Sequence, residues 1–365
     1  MKRYWVHKQH GFTLIEILVA LVIGLLSIYA VYTVYEGSEQ AKRNITAVGD
    51  AQVSGLYAVF LMTRELSNAG ASIASNGTQL SNCAEGDTLL NSPGSDLSLR
   101  PVPALIRSNA GLAQIEVFYG DAVALPVSLT VNNVIGGVDN QIIIEAPTGI
   151  MSDSVLVFAR GGNCAVYRVL PSGGGLINPP DMTTNLVTVR LDGVPTSVAA
   201  NDDIIVLGTQ PIRRHFYVDA SGTLQMQEWR FTSAAAGWEY ARTDSIVANV
   251  VAFNAQYGVD NNNDGAIDSW RYATDGFSFD TVRGAPLATL RTIKAVRIGI
   301  VIRADEPDRE FKQGFTKTFF TDCPPAGTCD SQFTFTQAAL PPDAPFGWRY
   351  RAYETVIPLK NVIWN

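Results

Sequence analysis

A nine-residue stretch in the second half of this 365-residue chain has the oxygen pattern of a calcium-binding loop. Oxygen-bearing side chains recur at steps of two, a glycine takes the sixth place and an acid takes the ninth, in the order Asp260, Asn262, Asp264, Gly265, Asp268. Calcium takes about six to eight oxygen ligands, and this spacing is that of the first three-quarters of an EF-hand loop. Asp260, Asn262 and Asp264 would bind through their side chains. The carbonyl of Ala266 and the carboxylate of Asp268, directly or through a water, would add to the set.

The stretch departs from a complete EF-hand at its twelfth place, where Arg271 stands instead of a bidentate glutamate. The flanking segments 250–257 and 269–272 also have the composition of strands rather than helices. The alternative interpretation is a metal-free hairpin turn built from Asn, Asp and Gly residues. The sequence requires no cofactor, and calcium is the one candidate ligand.

Glu16 is the second residue with chemical meaning, because it is the only charged residue from Phe12 to Tyr35. This run has 24 residues, and about 20 apolar residues span a bilayer as a helix. A carboxylate inside such a segment is costly and by default marks function. The leader before it holds three basic residues and no acidic one, so the positive-inside rule keeps the leader in the cytoplasm and exports the rest.

A general secretory signal peptide fits this order of residues poorly. Its cleavage site follows the apolar region at small residues, whereas Gly11 precedes the apolar run. A basic leader, Gly11, Phe12, Thr-Leu-Ile-Glu and an apolar helix together resemble the class III signal of type IV pilins and type II secretion pseudopilins. An ordinary signal anchor with a stray acid is the alternative.

The resemblance implies that a prepilin peptidase cuts between Gly11 and Phe12 on the cytoplasmic face and then N-methylates Phe12. In a filament core the new amino terminus is buried, and a buried charge needs a partner. Glu16 of one subunit would pair with the Phe12 amino group of its neighbour and set the axial step.

Four cysteines in an exported chain suggest two disulfides. Cys323 and Cys329 enclose a five-residue segment that suits a small local loop, which leaves Cys83 to pair with Cys164. Four cysteines allow three pairings, and the sequence does not decide among them. A zinc site is disfavoured because there is no Cys-x-x-Cys and a single histidine, His215, after the leader.

We find no catalytic residue and no small-molecule substrate motif. His215 has no nucleophile motif around it, the run 172–175 lacks the Lys-Ser/Thr of a phosphate loop, and Asp202-Asp203 has the context of a turn. The formal net charge is −7, and loss of the three leader bases would leave −10. Nucleic acid is therefore not an expected partner.

The first element that positions these residues is one long helix, which is predicted to run from about Phe12 to about Ala69. An apolar stripe on its second half is predicted to face the globular domain: Ile45, Val48, Gln52, Leu56, Val59, Leu66, widened by Phe60 and Met62. From Ala71 the composition turns to Ser, Asn, Gly and Pro, and short β-like runs follow. These runs are 114–119, 141–145, 155–158, 165–170, 186–191, 204–207, 213–218, 224–231, 250–257, 269–272, 293–303 and 348–356.

Two of these runs carry more information than the others. Val296, Ile298, Ile300 and Ile302 alternate with other residues, which predicts a central strand whose apolar face lies against the helix. The segment 348–361 is similar to the closing strand of minor pilins of the PilW type, with Pro-Leu-basic-Asn at its end. Chain length favours the same family.

The predicted fold is α+β and pilin-like: a long N-terminal helix, half membrane anchor and half amphipathic, packed on a large antiparallel β-rich domain. The predicted parts are a leader (1–11), a transmembrane or filament-core helix (12–35), its amphipathic continuation (36–70) and a periplasmic globular domain (71–365). The segment 285–290 is one further candidate for a short helix.

The resemblance implies a minor pilin that assembles with other minor pilins at the pilus tip, primes the major pilin and carries a tip adhesin. It would reside in the inner membrane, with its C-terminal domain in the periplasm, before reaching the cell surface. The alternatives are a J-type pseudopilin of type II secretion, an adhesin or DNA-uptake pilin, and, least favoured, an enzyme with a pilin-type anchor.

Overall fold

The structure is a computed structural model that describes residues 12–73, 102–109, 111–122, 129–135, 140–145, 150–160, 163–170, 186–196, 198–308, 311–324, 329–341 and 347–363. Within these residues the helices are α1 (Leu14–Asn68), α2 (Phe279–Gly284), α3 (Leu287–Thr292) and α4 (Lys360–Ile363), with a 3-10 helix at Asp275–Phe277. The strands are β1 (Ala104–Asn109), β2 (Leu112–Tyr119), β3 (Leu129–Ile135), β4 (Gln141–Glu145), β5 (Val155–Arg160), β6 (Asn163–Arg168), β7 (Leu186–Arg190), β8 (Asp203–Gly208), β9 (Ile212–Val218), β10 (Leu224–Ser233), β11 (Gly237–Val247), β12 (Val250–Val259), β13 (Ser269–Arg271), β14 (Ile293–Arg303), β15 (Phe315–Phe319), β16 (Phe333–Gln337) and β17 (Tyr350–Pro358).

The architecture is α+β, as predicted, with antiparallel strands throughout the described pairings. A five-stranded sheet, which we call the first sheet, has the order β1-β2-β9-β10-β11. A four-stranded second sheet has the order β13-β12-β14-β17, and β15 pairs with β16 in a separate hairpin. The C-terminal part of α1 packs on the first and second sheets, and all three share the largest apolar core.

The predicted helix stripe is wrong in half of its members: Ile45, Gln52, Leu56 and Phe60 are exposed, whereas Met62 and Leu66 are buried and Val59 packs against the core. α1 packs on the sheets through small residues and a few larger ones near its end: Ala47, Ala51, Gly55, Ala58, Leu61, Met62, Leu66. Ile45 and Phe60, expected to be buried, are 74% and 62% exposed. Between 47 and 58 small residues let the helix backbone approach the sheet closely, and the bulkier apolar side chains Val53, Leu56 and Tyr57 of this stretch lie on the opposite face.

The central strand is confirmed. β14 lies between β12 and β17, and Val296, Ile298, Ile300 and Ile302 belong to the core shared with α1. On its other face the guanidinium of Arg297 is buried between the rings of Trp270 and Phe320, at 4.4 and 4.7 Å from their centroids.

A six-stranded sheet of order β6-β5-β8-β3-β4-β7 forms a second unit. Its outermost strands meet through an antiparallel bridge between Val169 and Leu191, so the sheet closes into a small barrel. The barrel has its own interior of aliphatic and aromatic side chains, including Ile142, Ile144, Leu156, Phe158, Val187, Val189 and Ile204. We call β3 to β8 the barrel.

Twelve of the observed strands overlap predicted runs, and five were missed. No strand was predicted at β1, β3, β11, β15 or β16. β11 lies at the sheet edge with consecutive exposed residues, and β3 contains a bulge between Val131 and Asn133, so neither shows a clean two-residue period. The helical pattern noted near 285–290 corresponds to α3, which Pro286 precedes.

Candidate assembly site on the N-terminal helix

The first turn of α1 is capped by the residues of the N-terminal motif. Thr13 is the N-cap, and its Oγ1 accepts a hydrogen bond of 3.3 Å from the backbone N–H of Glu16. A Thr-x-x-Glu sequence is the signature of a capping box. We did not predict this role of Thr13, although the three-residue spacing from Thr13 to Glu16 indicates a capping box. Gly11 lies outside the described residues.

The anchor segment, residues 12–35, presents apolar side chains on all sides. From Leu14 to Thr46 no residue of α1 is buried, and at 1.5 Å per residue this part of the helix extends about 50 Å from the domain. The helix is long and apolar enough to cross a membrane by length and composition. Glu16 is exposed in this segment, so its carboxylate is accessible to another chain.

Beyond the anchor segment, large apolar side chains continue on the face of α1 that points away from the sheets. Ile45, Val53, Leu56, Tyr57 and Phe60 are all more than half exposed. Val53, Leu56, Tyr57 and Phe60 are linked by steps of three or four residues, and Ile45 lies 11 residues, about three turns, before Leu56, which places all five on one side of the helix. We call these five residues the outer stripe; an exposed apolar patch of this kind marks an interaction surface.

A buried charge network holds the C-terminal end of α1 on the first sheet. The carboxylate of Glu65, 1% exposed, accepts a hydrogen bond of 2.5 Å from the Tyr119 hydroxyl and lies 2.5 Å from a guanidinium nitrogen of Arg214. Arg64 lies against its other oxygen at 2.7 Å. Tyr119 lies in β2 and Arg214 in β9, whereas Arg64 is the neighbour of Glu65 on α1, so Glu65 ties the helix to two strands of the first sheet.

The network extends across the sheet through Glu228. Arg214 bridges Glu65 and Glu228, with a distance of 2.9 Å to the latter carboxylate. Burial opposes ionisation of Glu228, but hydrogen bonds from Arg230 and Arg214 outweigh it and keep the pKa of Glu228 below its usual value. We did not predict this network, because its members are far apart in sequence.

The proposed calcium stretch forms the connection between β12 and β13. This hairpin confirms the predicted flanking strands. The buried carboxylate of Asp260 accepts hydrogen bonds from the backbone N–H groups of Asp264 and Gly265, at 3.2 and 3.0 Å. Asp268 accepts from Asn261 and Asn262, at 2.8 and 3.3 Å.

The side chains of this turn thus bind its own backbone. Among the described residues no group of three or more His, Cys, Asp or Glu side chains is placed to hold a metal ion. The carboxylates of Asp264 and Asp268 and the carbonyl of Ala266 stay candidate ligands with Asp260 and Asn262, and calcium binding stays a prediction.

The cysteine predictions have different outcomes. Cys323 and Cys329 form a disulfide, as predicted. Cys164 is buried in β6, and its predicted partner Cys83 lies outside the described residues, so that pairing stays a prediction. His215 lies in β9, as expected, and stacks on Tyr217 with ring centroids 5.2 Å apart. Burial lowers the pKa of His215.

A long apolar N-terminal helix with a carboxylate near its start, packed through its second half on antiparallel sheets, defines a pilin-like protein. Comparison with known families specifies it further. Residues 6–32 match the prokaryotic N-terminal methylation motif, which spans Gly11, Phe12 and Glu16. Residues 215–361, from β9 to α4, match the type IV pilus-assembly protein W, PilW.

The two matches confirm the resemblance to minor pilins of the PilW type. They support a type IV pilus minor pilin, its processing by a prepilin peptidase and its association with the membrane and the pilus. Pilins are structural rather than enzymatic. No curated protein and no solved structure matches the chain.

Proposed function

We propose that this chain is a minor pilin that primes type IV pilus assembly with other minor pilins, at the tip of the pilus. The observation that carries the proposal is the exposed apolar surface of α1, which covers the anchor segment and resumes in the outer stripe after the polar stretch 36–44. A surface of this length needs a cover, which is lipid before assembly and the helices of other subunits afterwards.

The first step is insertion into the inner membrane with the C-terminal domain in the periplasm. Cleavage between Gly11 and Phe12 then creates a positively charged amino terminus at the start of the helix. When the helix leaves the lipid, that amino group and the carboxylate of Glu16 both enter an apolar environment. Pairing between neighbouring subunits neutralises both charges, which selects one axial offset between the helices.

The partners are other minor pilins, the major pilin and, at the tip, a large adhesin. The outer stripe would contact partner helices just outside the membrane, while the charge network at Glu65 keeps the globular domain in place on its own helix. Assembly, rather than turnover of a substrate, is the function.

A clean deletion strain tests this proposal and separates the two systems that use the N-terminal motif. Pili are sheared from the cells and blotted for the major pilin, and culture supernatants are assayed for secreted enzymes. We expect pili to be lost and secretion to be intact, with pili restored by the intact chain. Normal pili with enzymes trapped in the periplasm would instead assign the chain to type II secretion.

A further inference from the structure

The barrel is inserted between two strands that are direct neighbours in the first sheet. β2 pairs with β9, and the last pair of their register joins Tyr119 to Ile212. All residues of the barrel lie between these two positions. A two-residue turn is the usual connection of such a strand pair, so the barrel occupies the place of a hairpin turn.

The two connecting segments are held together where they leave the first sheet. The backbone N–H of Asp121 donates to the carbonyl of Leu207 at 2.9 Å. The carboxylate of Asp121 accepts from the backbone of Gln210 at 2.9 Å and from the hydroxyl of Thr209 at 3.2 Å. The entry and exit of the barrel therefore form one narrow stalk.

The barrel lies on the face of the first sheet opposite to α1. Successive residues of a strand point to opposite faces, and in β2 Val117 belongs to the core with α1 while Phe118 belongs to the core with the barrel. Phe231 and Trp238 cover the same face as Phe118 and pack against outward-facing side chains of β5, β6 and β8. The order of layers is α1, first sheet, barrel.

The match to the PilW family begins at residue 215, after the barrel has ended. The matched segment contains β10 to β17 and α4, and several of these elements make the core described above together with α1, β1, β2 and β9. The barrel is thus outside both the matched segment and the helix surface on which assembly depends.

We propose that residues 120–211 are an inserted domain that is displayed on the outside of the assembled pilus and whose function is separate from assembly. This inference rests on the proposed function, because it takes α1 to lie in the filament interior. With the first sheet between them, a barrel on the far side of the sheet must then face the medium.

The composition of this segment limits its partner. Residues 120–211 hold eight Asp or Glu residues, three Arg and no Lys. Arg168 is engaged with the carbonyl of Phe231 at the junction with the first sheet. A surface this poor in cations suits a neutral or basic partner and opposes polyanions such as nucleic acids.

Cysteine accessibility tests the display of the barrel in intact pili. Asn132→Cys places a thiol on the exposed side of β3, and Val53→Cys places one in the outer stripe. Both variants are treated with a bulky maleimide, once as detergent-solubilised subunits and once as sheared pili. We expect both thiols to react in detergent, and only that at position 132 to react fully in pili.

Protection of both thiols in pili would overturn the inference and leave the proposed function standing. Full reaction of both would show a displayed barrel but contradict burial of the helix.

A second experiment removes the barrel by replacing residues 120–211 with Asn-Gly. Cys83→Ser removes the predicted partner of Cys164, and Phe118→Thr, Phe231→Thr and Trp238→Thr make the face that the barrel covered polar. Where this variant accumulates to the normal level in the membrane, we expect pilus yield within about twofold of normal, and loss of pili would overturn the inference.

Discussion

Tyr353 of β17 lies directly against the backbone of α1 at Gly55. A Cβ atom built on Gly55 would come within 2.2 Å of Cε2 of the tyrosine ring, and the Tyr353 hydroxyl donates to the carbonyl of Gln52 at 3.1 Å. The glycine is therefore a contact point between helix and sheet, although glycine in a helix costs about 1 kcal/mol relative to alanine.

Gly55→Ala should destabilise the protein by about 1–3 kcal/mol, because the added methyl group displaces the ring and breaks its hydrogen bond. Gly49→Ala is the matched control, since nothing lies within 4 Å of its position. It should raise stability by up to about 1 kcal/mol through helix propensity. Urea unfolding of the full chain in detergent measures both, and equal effects would refute the contact.

Glu65→Ala should be more damaging, because it leaves Arg214 and Tyr119 buried with one partner fewer. Removing one member of a buried ion pair costs about 3–5 kcal/mol. Glu39→Ala removes only an exposed i,i+4 contact with Arg43, for which we expect about 0.5 kcal/mol or less. If the two variants unfold at the same urea concentration, the network does not hold α1 in place.

Asp219, in the turn between β9 and β10, should make the stability of the protein depend on pH. Hydrogen bonds from Ser221, Gln225 and Thr223 lower the pKa of Asp219 to about 2. A carboxyl whose pKa is depressed by folding contributes stability above its unfolded pKa of about 3.9, and this stability is lost as pH falls towards 2. Asp219→Asn should therefore be less stable than the parent at pH 7, with the difference shrinking between pH 4 and pH 2. A pH-independent difference would exclude this linkage.

Calcium binding is tested by the melting temperature with calcium or with a chelator. If the turn between β12 and β13 binds the ion, calcium should raise the melting temperature of the parent and Asp260→Ala should abolish the rise. The variant also loses two backbone hydrogen bonds, so only the calcium-dependent change is informative. Asp275→Ala, outside the turn, is the control. A calcium-dependent rise in melting temperature that persists in Asp260→Ala would contradict the calcium site.

The sequence predicted those features that depend on local pattern. The extent of α1, the central strand 293–303 and the hairpin around residues 260–268 follow from apolar periodicity and turn residues. On the buried face of α1, Met62 and Leu66 were predicted, but the small residues from Ala47 to Ala58 were missed because periodicity favours large apolar residues, whereas close packing on Tyr353 requires a small one. The barrel and the Glu65 network were missed because both depend on pairings between distant residues, such as Val169 with Leu191.

The most direct test of the central claim, assembly through α1, is the yield of sheared pili from cells that carry Glu16→Ala. Glu36→Ala, which alters the next acid along the helix, is the control, and membrane levels of each variant are measured by blotting. We predict that Glu16→Ala abolishes or strongly reduces pili at normal membrane levels while Glu36→Ala does not. Normal piliation with Glu16→Ala would contradict the account.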